Sequence, residues 1–175
     1  PHYVFGQAVV RAYAHVAFGL RATGLEHVPA EGPFLLAANH KSYLDPPFVG
    51  GVLPRELRYF AKQQLFRIPG FASLIRAYGA IPVDRDAADR RAVSGTLTVL
   101  ARGEGLLVFP EGTRIRRPGL AEPKAGIGLL AVRSGAPVIP VYVASTWEPR
   151  RRLGKRIPVR IRFGPPIRFA PPEPG

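Results

Sequence analysis

The sequence predicts an α/β fold: one domain with a largely parallel central sheet flanked by helices, preceded by an amphipathic N-terminal helix. Three observations lead there. Short apolar runs recur at 34–38, 57–61, 80–83, 105–109, 138–143 and 159–163. Helix-period segments lie between most of them, at 47–53, 69–78, 86–102 and 125–134. Strands that alternate with helices pair in parallel through right-handed crossovers. The length, 175 residues with 46% hydrophobic and 21% charged, suits one core of ordinary size rather than a disordered chain.

Each element has its own warrant. Residues 4–20 place Gln7, Arg11 and His15 on one helical stripe, with Phe5, Val9, Ala12, Val16 and Leu20 around much of the rest. Such a helix packs on the domain, or lies in a membrane interface with Arg11 toward the headgroups. The runs "FLLAA", "LRYFA", "AIPV", "GLLVF" and "VIPVYV" read as buried strands, whereas "VRIRF" alternates and has one wet face. Segment 86–102 carries Asp86 and Asp89 in its first turn, where the helix dipole favours anions, and Gly103 ends it. The last residues, 171–175, are expected to fray. The boundaries expected are therefore a helix over 1–22, the main domain over 23–170 and the short tail.

The formal net charge is +13, so an anionic partner is expected: nucleic acid, an acidic membrane surface or a phosphorylated substrate. From Pro149 to Gly175 there are eight Lys and Arg and one acid, Glu173. A solvated basic face is the plainer reading of this run, against a surface that meets anionic lipid or a polyanionic donor. Aromatic residues are not interleaved with it as single-strand binding needs, which argues against nucleic acid. No run reaches 18 apolar residues, so nothing in the sequence spans a bilayer. The absence of Met, even at position 1, suggests a trimmed piece of a longer chain, whose flanks could hold a membrane helix.

Polar groups follow three of the strand runs, and the carboxyl ends of parallel strands are where substrates bind. After 34–38 comes "NHKSYLD", which holds His40 and Asp45. Imidazole is matched to proton transfer near neutral pH, and a carboxylate on one ring nitrogen fixes its tautomer. The same residues have plainer readings: His40 as a satisfied core histidine, Asp45 as an N-cap before Pro46. After 80–83 comes Arg85, suited to forked recognition of phosphate or to an ion pair with Asp84 or Asp86. After 105–109 comes "PEGTR", with Glu111, Gly112, Thr113 and Arg114. Its Gly permits a tight turn whose backbone N–H groups can face an anion. Lys124 sits before the helix that ends near 134. Backbone N–H groups near 40 or 112 are the candidate oxyanion donors.

Other chemistries are disfavoured. With no Cys there is no thiolate nucleophile or thiolate metal site, and the four His lack ligand spacing. Ser42 has no flanking glycines of the kind a nucleophile elbow needs. A His–Asp base beside cations suits deprotonation of an alcohol on a phosphorylated substrate as it attacks an activated electrophile such as a thioester.

The blocks "NHKSYLD" (39–45), "GAIPVDR" (79–85), "FPEGTR" (109–114) and "VIPV" (138–141) occur in order, and together they resemble the glycerolipid acyltransferase family, typified by the bacterial 1-acylglycerol-3-phosphate acyltransferases. The resemblance implies transfer of a fatty acyl group from acyl-CoA or acyl carrier protein to the free sn-2 hydroxyl of a lysophospholipid, without an acyl-enzyme. It implies His40 as general base and Asp45 as its orienting partner. It puts Arg85, Glu111, Gly112, Thr113 and Arg114 in the acceptor site, with Lys124 beside them. It also implies no metal or organic cofactor and association with an anionic membrane, at the cytoplasmic face of a bacterial inner membrane. Other acceptors of the same class are glycerol-3-phosphate and other lysolipids; a non-catalytic basic module that binds membrane or nucleic acid is the alternative outside it. The chain departs from the pattern at Ile115, where the family often has Ser, in "LAEPKAG" before and around Lys124, and at Gln63 and Gln64, where charged residues are expected.

Overall fold

The computed structural model describes residues 2–83, 88–124, 126–147 and 158–169. Seven strands form one sheet: β1 (Arg21–Thr23), β2 (Phe34–Ala38), β3 (Leu57–Lys62), β4 (Ala80–Val83), β5 (Gly105–Val108), β6 (Val138–Ala144) and β7 (Arg160–Phe163). Their order across the sheet is β1-β7-β6-β2-β5-β3-β4. All neighbours run parallel except β6 and β7. The largely parallel α/β architecture is thus as expected, and the five parallel strands share one carboxyl edge.

The central strand explains the layering. In β2, Phe34, Leu36 and Ala38 pack with Phe48, Val49, Leu107, Ile139 and Ile161 in one core, while Leu35 packs with Leu100, Leu106, Leu130 and Val138 in the other. Successive side chains of a strand point to opposite faces, so a strand covered on both sides reads as an unbroken apolar run. Helices α1 (His2–Phe18) and α2 (Asp45–Val52) bring Ala14, Phe48 and Val49 to the first core. Helices α4 (Ala88–Ala101) and α5 (Gly126–Ser134) bring Val99, Leu100, Leu130 and Ala131 to the second. Helix α3 (Phe71–Ala77) buries only Ala72 and Ile75. Gly103 closes α4 as expected, with φ 74° and its N–H on the Leu100 carbonyl at 2.9 Å.

Three expectations need correction. Strand β1, "RAT", lies where no strand is expected; it pairs with β7 at the edge of the sheet. Strand β6 is not buried throughout: Pro140 and Tyr142 are exposed on one face.

The largest correction concerns α1: it packs on the domain, the first of the two readings, but it does so partly through its polar stripe, with Gln7 and Arg11 bonded to α2 while His15 stays exposed. Gln7 is buried, and its amide donates to the carbonyls of Gly50 at 2.9 Å and Leu53 at 2.8 Å. Arg11 Nε donates to the Gly51 carbonyl at 2.8 Å, so the side chain is tied to the domain although it remains exposed. The physical reason is the end of α2. Its last carbonyls have no partner within the helix, and Gly50 and Gly51 let α1 come close enough to supply donors. A Cβ on Gly51 would lie 3.1 Å from Val10 Cγ1. The apolar residues Val4, Phe5, Val9, Tyr13 and Val16 are left exposed, Phe5 at 73%. Among the described residues no helix is long and apolar enough to cross a membrane.

Candidate active site

Strand β2 ends at Ala38, and Asn39 turns the chain at the sheet's carboxyl edge. Its amide closes a two-way link with Val143: Nδ2 donates to the Val143 carbonyl at 2.9 Å and Oδ1 accepts the Val143 N–H at 2.7 Å. His40 therefore leaves a strand end clamped to β6. Its ring stacks on Phe109 with centroids 3.9 Å apart and planes 18° apart.

Asp45 lies beneath it, fully buried. One carboxylate oxygen, Oδ2, accepts from His40 Nδ1 at 2.9 Å and from the backbone N–H groups of Lys41 and Ser42, both at 2.7 Å. Burial of a carboxylate is costly unless donors replace water, and three donors on one oxygen supply that replacement. The capping reading of Asp45 is corrected here. Leu44 is the N-cap of α2 and Asp45 is its first helical residue, with no side-chain cap bond. The carboxylate reaches back into the turn it follows, which is why the five-residue spacing closes on the ring. With Nδ1 held as the donor, Nε2 is the nitrogen able to take a proton, and no hydrogen bond reaches it among the described residues.

The "FPEGTR" turn docks beside this pair because β5 is the neighbour of β2. The Ile115 N–H donates to the His40 carbonyl at 2.8 Å, and the His40 N–H points to Glu111 Oε2 at 3.4 Å. Glu111 is buried, with Oε1 facing the Ala121 N–H at 3.5 Å. Gly112 has φ 68°, the tight turn expected of it. Its N–H is taken by the Phe109 carbonyl at 3.0 Å, so the anion-facing and oxyanion expectations fail for that group. The His40 N–H is likewise turned to Glu111. Thr113 is exposed.

Arg114 lies over Tyr43, its guanidinium carbon 3.4 Å from the ring centroid, and Nη2 donates to the Tyr43 hydroxyl at 2.7 Å. Among the described residues its Nη1 is buried without a partner, which leaves one donor of the guanidinium unused there. Lys124 is exposed, its backbone N–H on the Pro110 carbonyl at 2.9 Å. Its side chain runs so close to Gly112 that an added Cβ there would meet Lys124 Cε at 2.9 Å. His40, Asp45, Glu111, Gly112, Arg114 and Lys124 are thus brought together. Arg85 lies outside the described residues, as do Asp84 and Asp86 and the basic residues 150–156.

Two features of the site lie outside the residues expected there. Lys41 is buried, with Nζ donating to the carbonyls of Arg117, at 2.8 Å, and Gly119. An apolar groove of about 630 Å³ opens beside Asn39 and Glu111, walled by Leu120, Pro123, Pro140 and Phe163. The exposed Tyr142 lines it too, which accounts for the wet face of β6.

Comparison with known proteins agrees with the geometry. A family model described as Acyltransferase matches residues 19–144. The 1-acyl-sn-glycerol-3-phosphate acyltransferase of Bacillus subtilis is 26% identical over 169 residues, covering 96% of this chain and 83% of that protein. The Escherichia coli protein of the same name is 31% identical over 136 residues, 74% of this chain and 55% of that one. The crystal structure of the 1-acyl-sn-glycerophosphate acyltransferase from Thermotoga maritima superposes with a TM-score of 0.76 at 27% identity, covering 95% of this chain and 72% of that one. With the family model across most of its length, and with the same fold, this chain belongs to the acyltransferase family of enzymes.

Proposed function

We propose that the protein transfers a fatty acyl group from acyl-CoA or acyl carrier protein to the free sn-2 hydroxyl of 1-acylglycerol-3-phosphate, giving phosphatidate. The observation that carries this reading is the His40–Asp45 pair: a ring with Nδ1 held by a fully buried carboxylate at 2.9 Å. Nε2 takes the hydroxyl proton as that oxygen attacks the thioester carbonyl. Asp45 stabilises the imidazolium that forms. The tetrahedral intermediate then collapses, the C–S bond breaks, and the proton on Nε2 returns to the departing sulfur. No enzyme nucleophile and no acyl-enzyme are needed.

The choice of acceptor rests on the names of the relatives and on cations beside the pair. Arg114, with Nη1 buried and unpartnered among the described residues, suits an acceptor phosphate, and Lys124 and Arg85 join it in this reading. The exposed apolar side of α1 supports residence at a membrane surface, and the net charge of +13 suits an anionic one; the reading takes this as the cytoplasmic face of a bacterial inner membrane.

An acceptor panel tests the reading. Purified protein in detergent micelles receives palmitoyl-CoA, or the same acyl chain on acyl carrier protein. The acceptor is lysophosphatidate, glycerol-3-phosphate or lysophosphatidylcholine. Lysophosphatidate should give the highest kcat/KM and a product that runs as phosphatidate. Faster turnover of glycerol-3-phosphate, or no loss when the phosphate is masked by choline, would overturn the acceptor assignment.

A further inference from the structure

Lys41 is the one buried lysine among the described residues, and the reaction chemistry above makes no use of it. Lysine is seldom buried without an acid to pair with. Among the described residues no carboxylate forms an ion pair with it; the ion pairs found are His40–Asp45 and Arg58–Glu104. Its ammonium is spent instead on two backbone carbonyls, Arg117 O and Gly119 O, 76 and 78 residues along the chain. At the other end of the same residue, the Lys41 N–H is one of the three donors that hold Asp45. One residue therefore ties the catalytic turn to the tip of the segment that follows Arg114.

That segment has few other ties. The Ile115 N–H on the His40 carbonyl fixes its start. The Ala121 N–H on Glu111, at 3.5 Å, and the Lys124 N–H on the Pro110 carbonyl, at 2.9 Å, fix its return. Residues 116–120 are exposed and belong to no helix or strand. Yet Leu120, Ala121 and Pro123 wall the groove beside Asn39 and Glu111, and Arg114 stands at the segment's root.

We infer that Lys41 is a positioning residue for acceptor recognition: its ammonium pins the 115–121 segment as a strap across the acceptor side of the site, and so holds Arg114 and the groove wall in place. The inference rests on the acceptor reading above only for the choice of lysolipid in the assay.

Lys41→Met removes the ammonium, keeps the stem and leaves the backbone N–H on Asp45. Trypsin cleavage after Arg114 and Arg116 reads the strap directly, without substrate. The expected result is at least tenfold faster cleavage there in Lys41→Met. Its KM for lysophosphatidate should rise at least tenfold, with kcat within threefold and the KM for palmitoyl-CoA within twofold. Lys41→Arg, which keeps the charge and the donors, should restore most of both. Should Lys41→Met fail to fold, Lys41→Gln carries the same comparison. Cleavage within twofold of wild type overturns the inference, as does a loss confined to kcat. If the wild type prefers another acceptor, the acceptor assignment fails alone, and the proteolysis comparison still decides the strap.

Discussion

Replacing Asp45 by Asn separates the electrostatic role of the carboxylate from its role as a hydrogen-bond acceptor. The amide is nearly isosteric with the carboxylate, and its oxygen can occupy the place of Oδ2 and keep the Lys41 and Ser42 N–H bonds at 2.7 Å. What disappears is the negative charge 2.9 Å from the ring. At that separation and an effective dielectric of about 20, an aspartate and an imidazolium attract by roughly 6 kcal/mol. The amide dipole retains part of this, so the transition state for proton removal loses about 3–4 kcal/mol. At about 1.4 kcal/mol per decade, kcat should fall roughly 10²–10³-fold. The KM for the acceptor should change less than threefold, because Asp45 is fully buried and touches His40 rather than substrate. The amide nitrogen would sit where Oδ1 now lies without a partner among the described residues, so stability should fall by only about 1–2 kcal/mol. Steady-state thiol release at varied lysophosphatidate, with urea unfolding of the same sample, measures both. A folded variant that retains more than a tenth of wild-type kcat would refute the electrostatic account of the pair.

Further outcomes follow from other contacts. Gly112→Ala places a Cβ at φ 68° and 2.9 Å from Lys124 Cε; left-handed strain costs about 1–2 kcal/mol, a Tm loss of roughly 2–8 °C, and displacement of the Lys124 side chain should raise the acceptor KM. Gln7→Ala strips the donors from the Gly50 and Leu53 carbonyls and should lower the unfolding free energy by about 1–3 kcal/mol in urea, whereas Phe5→Ala, on the exposed side of α1, should leave it nearly unchanged while weakening binding to anionic liposomes. Burial pushes the Tyr59 phenol up to about 12 from its ordinary 10. The unfolded chain then ionises first, so stability present below pH 10 should be lost as pH rises from 10 to 12. Burial raises the Tyr3 and Tyr78 phenols too, so Tyr59→Phe should remove only the Tyr59 share of that decline in thermal melts.

Much of this was legible because the parallel sheet leaves a plain trace. The run "FLLAA" is apolar without interruption because cores lie on both its faces, and the polar residues that follow it must then sit at the carboxyl edge. The His40–Asp45 contact was legible from chemistry and spacing, although the way it closes was not. The carboxylate serves the turn before it rather than the helix after it, a choice made by two backbone N–H groups. Strand β1 escaped notice because three residues at a sheet edge, two of them polar or charged, carry no periodicity. The orientation of α1 escaped notice because an amphipathic pattern marks two faces without saying which partner each meets. The bare carbonyls at the end of α2 decide it, and they are backbone groups that no side-chain pattern reports. Lys41 carries no side-chain signal for the same reason, since its partners are the carbonyls of Arg117 and Gly119.

The most direct test of the central claim is thiol release from palmitoyl-CoA in detergent micelles, with and without lysophosphatidate, for the wild type and His40→Ala. If His40 is the base, release depends on lysophosphatidate in the wild type and falls by at least a thousandfold in the variant, with folding retained. Equal rates in an active wild type and a folded His40→Ala would contradict it, and would leave His40 a buried ring stacked on Phe109.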